Sequence, residues 1–392
     1  MSNVEVAVVG RGLIGSAAAR HLAEAGRSVA LIGPGEPADY ATSEGPFASH
    51  YDEGRITRMI DPDPTWSQLA IRSIARYADI EERSGVPFHT GAGLVYASAE
   101  PRADLALALE LDVDAREVTA TEVAERFGIA MSGAETIILE SAPAGHINPR
   151  RMIVAQNRLA SAAGGVIVDA PVSAAAPTPN GVQLTVGNDT LLADRVLMCT
   201  GAWAAELVAV DLPLERTLRT ILLTELDDGP TLPSLISRAE TDSDRDVYWV
   251  PPVRFPDGRT MLKIGGYDRS VGYATNPADV VAWFRSGGSP TEADGLEDRL
   301  RALLPDRTIR SRDMKPCVVT DTPHGLPWID WIDDRVAVAI GGCGSAAKSA
   351  DEIGRLAGTL FADEGWTDPV LKLASFTPSE NDAALTGRFP YG

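Results

Sequence analysis

The sequence predicts an α/β fold in which a doubly wound, Rossmann-type sheet is interleaved with a second, α+β unit. Three observations carry this. Residues 6–9 form an apolar run, followed by Gly10-Arg11-Gly12-Leu13-Ile14-Gly15 and an amphipathic stretch that continues to Gly26. Residues 216–310 change character, with strands expected around Leu222, 247–250 and 261–264 about the turn Pro256-Asp257-Gly258. The last part returns to α/β, with a strand at 336–340, a glycine-rich loop and a helix over about 345–361.

In chain order, a second strand at 28–32 follows the first helix, and a loop of small and polar residues at 41–54 leads to Arg55-Ile56-Thr57-Arg58. Pro64 opens a helix whose apolar positions Trp66, Leu69, Ala70, Ile74, Tyr77 and Ile80 recur at helical spacing, a stripe that packs a core. Gly85 stops it. A strand at 93–97 comes next, then a capping box of Thr119 and Glu122 that starts a short helix to about 127. From Pro149 a helix runs to Gly164, strands follow at 165–168, 182–186 and 196–199, and a further helix covers about 295–304. This alternation assigns 1–85, 149–215 and 311–392 to the doubly wound domain and 86–148 and 216–310 to the second.

Strand, glycines and helix in that order read as a dinucleotide-binding loop. Gly10 makes the tight turn, Gly12 lets backbone approach a pyrophosphate, and Gly15 lets the helix sit close to the strand. The helix N-terminus then offers its unpaired N–H groups to the phosphates. The strand at 28–32 is expected to end in an acid that grips the adenosine ribose. Gly33 stands there instead, and Glu36 comes three residues later. Either Glu36 swings back, or backbone and water hold the ribose. No arginine follows to meet a 2′-phosphate, which argues against NADP.

At 392 residues the chain is long enough for two domains. A net charge of −20 argues against nucleic acid as a partner, because phosphate contacts need an excess of Lys and Arg. It does not disfavour a small anionic substrate, since two cations in a pocket outweigh the global field locally. No leader and no apolar run of membrane-spanning length stands out, so a soluble, cytoplasmic protein is expected, as a monomer or small homo-oligomer. Cys199, Cys317 and Cys343 are too few and too scattered for a disulfide framework or a zinc site, and no metal is expected.

Several segments in order carry a family resemblance. They are the loop at 10–15, Ser49-His50-Tyr51-Asp52-Glu53-Gly54-Arg55-Ile56-Thr57-Arg58, Gly201-Ala202-Trp203, and Leu262-Lys263-Ile264-Gly265. Lys315-Pro316-Cys317-Val318-Val319-Thr320 and Gly341-Gly342-Cys343-Gly344-Ser345-Ala346-Ala347-Lys348 complete the set. Together they resemble the monomeric sarcosine oxidase and N-methyltryptophan oxidase branch of the D-amino-acid oxidase-like flavoproteins. The resemblance implies FAD rather than NAD, a glutathione-reductase-like FAD-binding domain and a substrate domain on a mixed sheet. It also implies oxidation of the C–N bond of a small secondary amino acid, N-alkyl or cyclic, with O2 reduced to H2O2. A dehydrogenase of the same fold that feeds a carrier, or a non-catalytic dinucleotide-binding subunit, are the alternatives.

Residue roles follow from the same resemblance. Cys317 matches the cysteine joined as a thioether to the flavin 8α-methyl, a role suited to a soft thiolate; a buried apolar cysteine is the alternative. Arg58 and Lys348 match ligands of the substrate carboxylate, and Arg55 lies near the ring. If 55–58 is helical, both arginines face one side; the alternative is that they are solvated or paired with nearby Asp52 and Glu53. Lys263 matches the lysine beside the flavin that promotes reaction with O2, where a cation stabilises the negative charge formed first. Gly341, Gly342, Gly344 and Ser345 present backbone N–H groups to the ring edge that gains charge on reduction. Tyr248 and Trp249 match an aromatic pair closing the pocket. Leu13, Ile14, Glu36, His50, Val172, Gly201 and Trp203 complete the expected cofactor contacts. Tyr51, Asp268 and the small Ser345-Ala346-Ala347 depart from the family pattern and point to a substrate other than sarcosine.

Overall fold

The opening apolar run forms β1 (Val4–Val9), and the glycine loop delivers the chain into α1 (Leu13–Glu24) before β2 (Val29–Ile32) returns parallel to β1. In this computed structural model the described residues are 3–97, 101–131, 137–207, 212–238, 246–266 and 271–378. Tyr267 and Asp268 lie outside them. The first sheet runs in the order Val172–Thr178, Gly181–Val186, Asp189–Met198, β1, β2, Val166–Val168. Val336–Ile340 adds parallel to Asp189–Met198, and Trp328–Trp331 pairs with it antiparallel. Both faces of the parallel centre are covered, so its strands are uniformly apolar rather than alternating.

Four helices pack on one another over this sheet. α1 lies between Pro149–Ala162 and Ala346–Thr359, and α2 (Pro64–Ser84) lies across both. The approach is close: a Cβ at Gly354 would fall 2.6 Å from the backbone nitrogen of Ala18. Where they meet, buried Arg20 binds Asp351 at 2.7 Å and Gln156 at 2.6 Å, so the interface charge is paired and hydrogen-bonded rather than orphaned. α2 begins at an Asp63 cap with Pro64 in its first turn and ends on Gly85 at φ +66°.

The second sheet has the order Ile309–Asp321, Glu215–Leu226, Thr260–Gly266, Val247–Arg254, Ser234–Ser237, Leu94–Ala97, Ile137–Glu140, Ala115–Val118. It is mixed: Ser234–Ser237 pairs parallel with Leu94–Ala97 and the other pairs are antiparallel. Its inner face, with Trp249, Leu262 and Ile264, packs on the helix Pro290–Leu303. Residues 311–321 belong to this sheet, beyond the boundary at 310 that the sequence suggested, because Ile309–Asp321 pairs along the whole of Glu215–Leu226.

Other element differences have local causes. Pro290–Leu303 starts earlier than expected because Ser289 caps it and Pro290 occupies its first turn. The helix Pro277–Ser286, unanticipated, carries a full capping box of Asn276 and Asp279. At Thr119 only half the expected box forms, since the Glu122 carboxylate pairs with Arg116 instead. Among the described residues no helix is long and apolar enough to cross a membrane.

Candidate functional site

The glycines of the first loop are fixed by sterics. Gly10 sits at φ +110°, and a Cβ there would fall 2.2 Å from the Cys199 carbonyl oxygen. A Cβ at Gly15 would fall 1.9 Å from the Gly10 oxygen, whereas the space beside Gly12 is open. No side chain caps α1, so its first N–H groups face a cavity of about 580 Å³. That size is within the range of small-molecule sites. Gly10, Gly12, Leu13, Ile14, His50, Val172, Gly201 and Trp203 line it, and Gly15 packs beneath the loop without reaching the wall. His50 Nδ1 and Thr200 Oγ1 border the cavity, buried and without a partner among the described residues. Burial pushes His50 down to about 3, so it is a neutral ring. Unpaired donors, an open glycine and an uncapped helix suit the pyrophosphate and sugar hydroxyls of a dinucleotide.

Glu36 does not swing back. Its carboxylate takes Arg150 through two contacts of 2.6 Å and also accepts from Tyr40, and it is absent from the cavity wall. The arginine that the sequence did not place near the end of β2 is Arg11, from the loop itself, which pairs with Asp169 at 3.0 Å.

Further along the cavity the stretch 55–58 is not helical. β3 (Arg55–Thr57) pairs with Gly145–Ile147, Arg58 follows its end, and both arginines reach the cavity wall. Each joins a lysine from a distant element, and each pair shares one buried carboxylate. Arg55 and Lys263 share Asp52, with Lys263 Nζ at 2.6 Å and also donating to Gly54 O at 2.7 Å. Arg58 and Lys348 share Asp61, at 2.8 and 3.0 Å. Two cations to one anion leaves each triad with a net positive charge.

Burial would raise Asp52, but Lys263 and Arg55 outweigh it and hold the carboxyl well below the usual range. Asp61 is likewise lowered, burial being overridden by Arg58 and Lys348. Burial pushes both lysines down to about 8 despite their carboxylates. Glu140 stands behind Arg58. It accepts from the backbone N–H of Met59 and Ile60 at 2.8 and 3.2 Å, and burial pushes it up to about 7.

Cys317 lies in the wall near the first triad, with Arg55 Nη2 at 3.9 Å from its Sγ. Gly341, Gly342, Gly344 and Ser345 curve past it, with Gly341 at φ +80° and Gly344 at φ +66°, into the uncapped start of Ala346–Thr359. Ile56, Ile236, Arg238 and Ala347 add to the wall, and the Tyr248 ring lies 5.9 Å from Lys263 Nζ, at the first triad. Trp249 is a correction: it is fully buried in the second sheet's core and donates to Pro233 O at 2.9 Å. Neighbouring strand residues point to opposite faces, so Tyr248 and Trp249 cannot both face the cavity.

Asp52, Asp61, Glu140, Thr200 and Arg11 were missed as site residues. The cue for the first two was an acid three residues from each arginine. Asp52→Ala leaves Lys263 and Arg55 buried without a counter-ion. We expect a loss of about 3–5 kcal/mol in stability, read from the urea midpoint. A midpoint shift within error of zero contradicts the triad.

The family model described as FAD dependent oxidoreductase matches residues 5–360. Monomeric sarcosine oxidase of Streptomyces avermitilis is 25% identical over 370 residues, covering 91% of this chain and 93% of that protein. N-methyl-L-tryptophan oxidase of Yersinia pestis is 22% identical, covering 92% and 95%. Among solved structures, the open form of NikD, an amino acid oxidase of nikkomycin biosynthesis, superposes with a TM-score of 0.77 at 19% identity, covering 97% and 98%.

Proposed function

The chain belongs to the FAD-dependent oxidoreductase family, and from that premise we propose that it oxidises the C–N bond of a small secondary amino acid, N-alkyl or cyclic, with O2 as acceptor. The observation that carries this reading is the pair of two-cation, one-carboxylate triads facing one cavity. Bound FAD would supply the two-electron acceptor, taking a hydride equivalent from the substrate carbon and passing electrons to O2.

The chain's own residues do the rest. The residual charge of Arg58, Lys348 and Asp61 takes the substrate carboxylate, and the planar guanidinium fixes its orientation. The same positive field disfavours an ammonium ion in the cavity, so the amine binds with its nitrogen proton lost to solvent. Its lone pair is then available as the C–H bond breaks and C=N forms. Water hydrolyses the imine to an aldehyde or oxo acid and the shortened amine. Lys263, at the first triad, faces the negative charge that develops when O2 is reduced; O2, two electrons and two protons give H2O2. No protein base is required.

A peroxide-coupled screen of N-alkyl and cyclic amino acids tests the reading. One H2O2 per amine oxidised supports it; reduction by substrate without peroxide in air overturns the oxidase assignment. Cys317 is the proposed attachment point of the flavin. Acid precipitation should leave the colour in the wild-type pellet and release it from Cys317→Ser; colour in the wild-type supernatant rejects the covalent bond.

The lysine shift also fixes a pH dependence. Lys348 binds a carboxylate only when protonated, and burial brings it down to about 8. Affinity for a carboxylate that carries no amine, such as acetate binding as a competitive inhibitor, is therefore full below that pH and is lost above it, and its Ki should rise up to about tenfold per pH unit in the alkaline limb. A Ki that stays flat from pH 7 to 10 contradicts this.

A further inference from the structure

A cofactor's adenosine ribose needs an acid at the carboxyl end of the second parallel strand, and this chain cannot place one there. A Cβ on Gly33 would fall 2.7 Å from the backbone nitrogen of Arg11 and 3.0 Å from its Cβ. Any side chain at Gly33 would push the phosphate loop away from β2. Glycine at this position is therefore a requirement of the loop, and the ribose contact has to come from elsewhere.

The strand register shows where. Val166–Val168 pairs parallel with β2, with Ile32 opposite Val168, and Gly33 N donates to Val168 O at 3.0 Å. The next residue on the neighbouring strand is Asp169, level with Gly33 and one strand spacing away, about 4.8 Å. Its side chain leans back over the end of β2: Oδ1 accepts from Gly35 N at 2.9 Å and Oδ2 meets Arg11 Nη2 at 3.0 Å. Arg11 in turn is only 15% exposed and belongs to the cavity wall. We infer that Asp169, held by Gly35 and paired with Arg11, is the ribose-binding acid of this chain, moved one strand sideways from its usual place.

The chemistry is sufficient. A carboxylate offers about four lone-pair positions, of which two are used here, and two remain for a vicinal diol. Asp169, like Glu36, is not itself among the residues lining the cavity; its side chain is 67% exposed at the end of β2, beside Arg11, Gly33 and Pro34, which do line it, and those positions are open. Arg11 is a positioning residue that spans the gap between the carboxylate and the phosphate loop, and it has further N–H donors to spare. Glu36, the nearest acid in sequence, has three of its positions taken by Arg150 and Tyr40, which leaves too few for a vicinal diol.

This rests on the cavity's being a flavin dinucleotide site, and the test separates the two. Full-length apoprotein carrying Cys317→Ser, so that flavin binds reversibly, is prepared from riboflavin-starved cells and titrated with FAD and with FMN, following quenching of flavin fluorescence. Asp169→Ala should weaken FAD about 10- to 100-fold, the worth of one or two charge-assisted hydrogen bonds, and leave FMN, which has no adenosine, unchanged. Asp169→Asn should fall between, and Glu36→Gln should match wild type. FAD affinity unaffected by Asp169→Ala overturns the assignment, as does an equal loss for FMN, which would mark a distorted loop. A loss confined to Glu36→Gln assigns the ribose to Glu36 instead. Wild-type protein that refuses FAD sinks the flavin reading itself.

Discussion

Lys263→Met should leave reduction by substrate nearly intact and slow the reaction with O2 by about 10²–10³-fold, the cost of removing one preoriented charge donor. Methionine keeps the length and apolar stem of the buried lysine, so packing among the strands Val247–Arg254 and Thr260–Gly266 is retained. What changes is charge. Asp52 is left with Arg55 alone, and a site with net positive charge becomes neutral. Negative charge forming on O2 then has no surplus cation to meet. Stopped-flow mixing resolves the halves: anaerobic mixing with amine reads the first, and mixing of reduced enzyme with O2 reads the second. Equal slowing of both would show that Lys263 acts by shaping the pocket.

Lys348→Met should lower kcat/KM for an amino acid by about 10²–10³-fold, mostly through KM, in the range for truncating one member of a buried charged pair. The reasoning is parallel. Asp61 and Arg58 become an internally neutral pair, and Arg58 can bind an incoming carboxylate only by giving up part of its bond to Asp61. The discriminating control is the amide of the same substrate. Wild type should prefer the acid strongly, and the variant should treat acid and amide nearly alike. The same loss on both would place Lys348 outside carboxylate recognition.

The parts of this molecule legible in the sequence are those set by short-range sterics. A Cβ at Gly10 or Gly15 would meet backbone oxygens at 2.2 and 1.9 Å, so their spacing announces the turn. The stripe from Trp66 to Ile80 reads as core because helical periodicity is local. Lys263, Lys348, Arg58 and Cys317 came from resemblance, since nothing in their neighbours says which cavity they reach. Counter-ions were harder. Asp61 lies 287 positions from Lys348, and Arg55 shares Asp52 with a lysine from another sheet, so the sharing exists only after folding. The level pairing of Asp169 with Gly33 needs strand partners that no motif specifies. The expected Tyr248 and Trp249 pair failed for a reason the alternation rule already contains.

One ribbon of chain, from Asp52 to Asp61, contributes both shared acids and one arginine to each triad at steps of three residues. Selection for a new amine therefore has little freedom there, because reshaping one end of the ribbon drags the oxygen-reactive end with it. Diversification of diet must fall on other wall residues, such as Ile236, where a side chain can be exchanged without altering either shared acid.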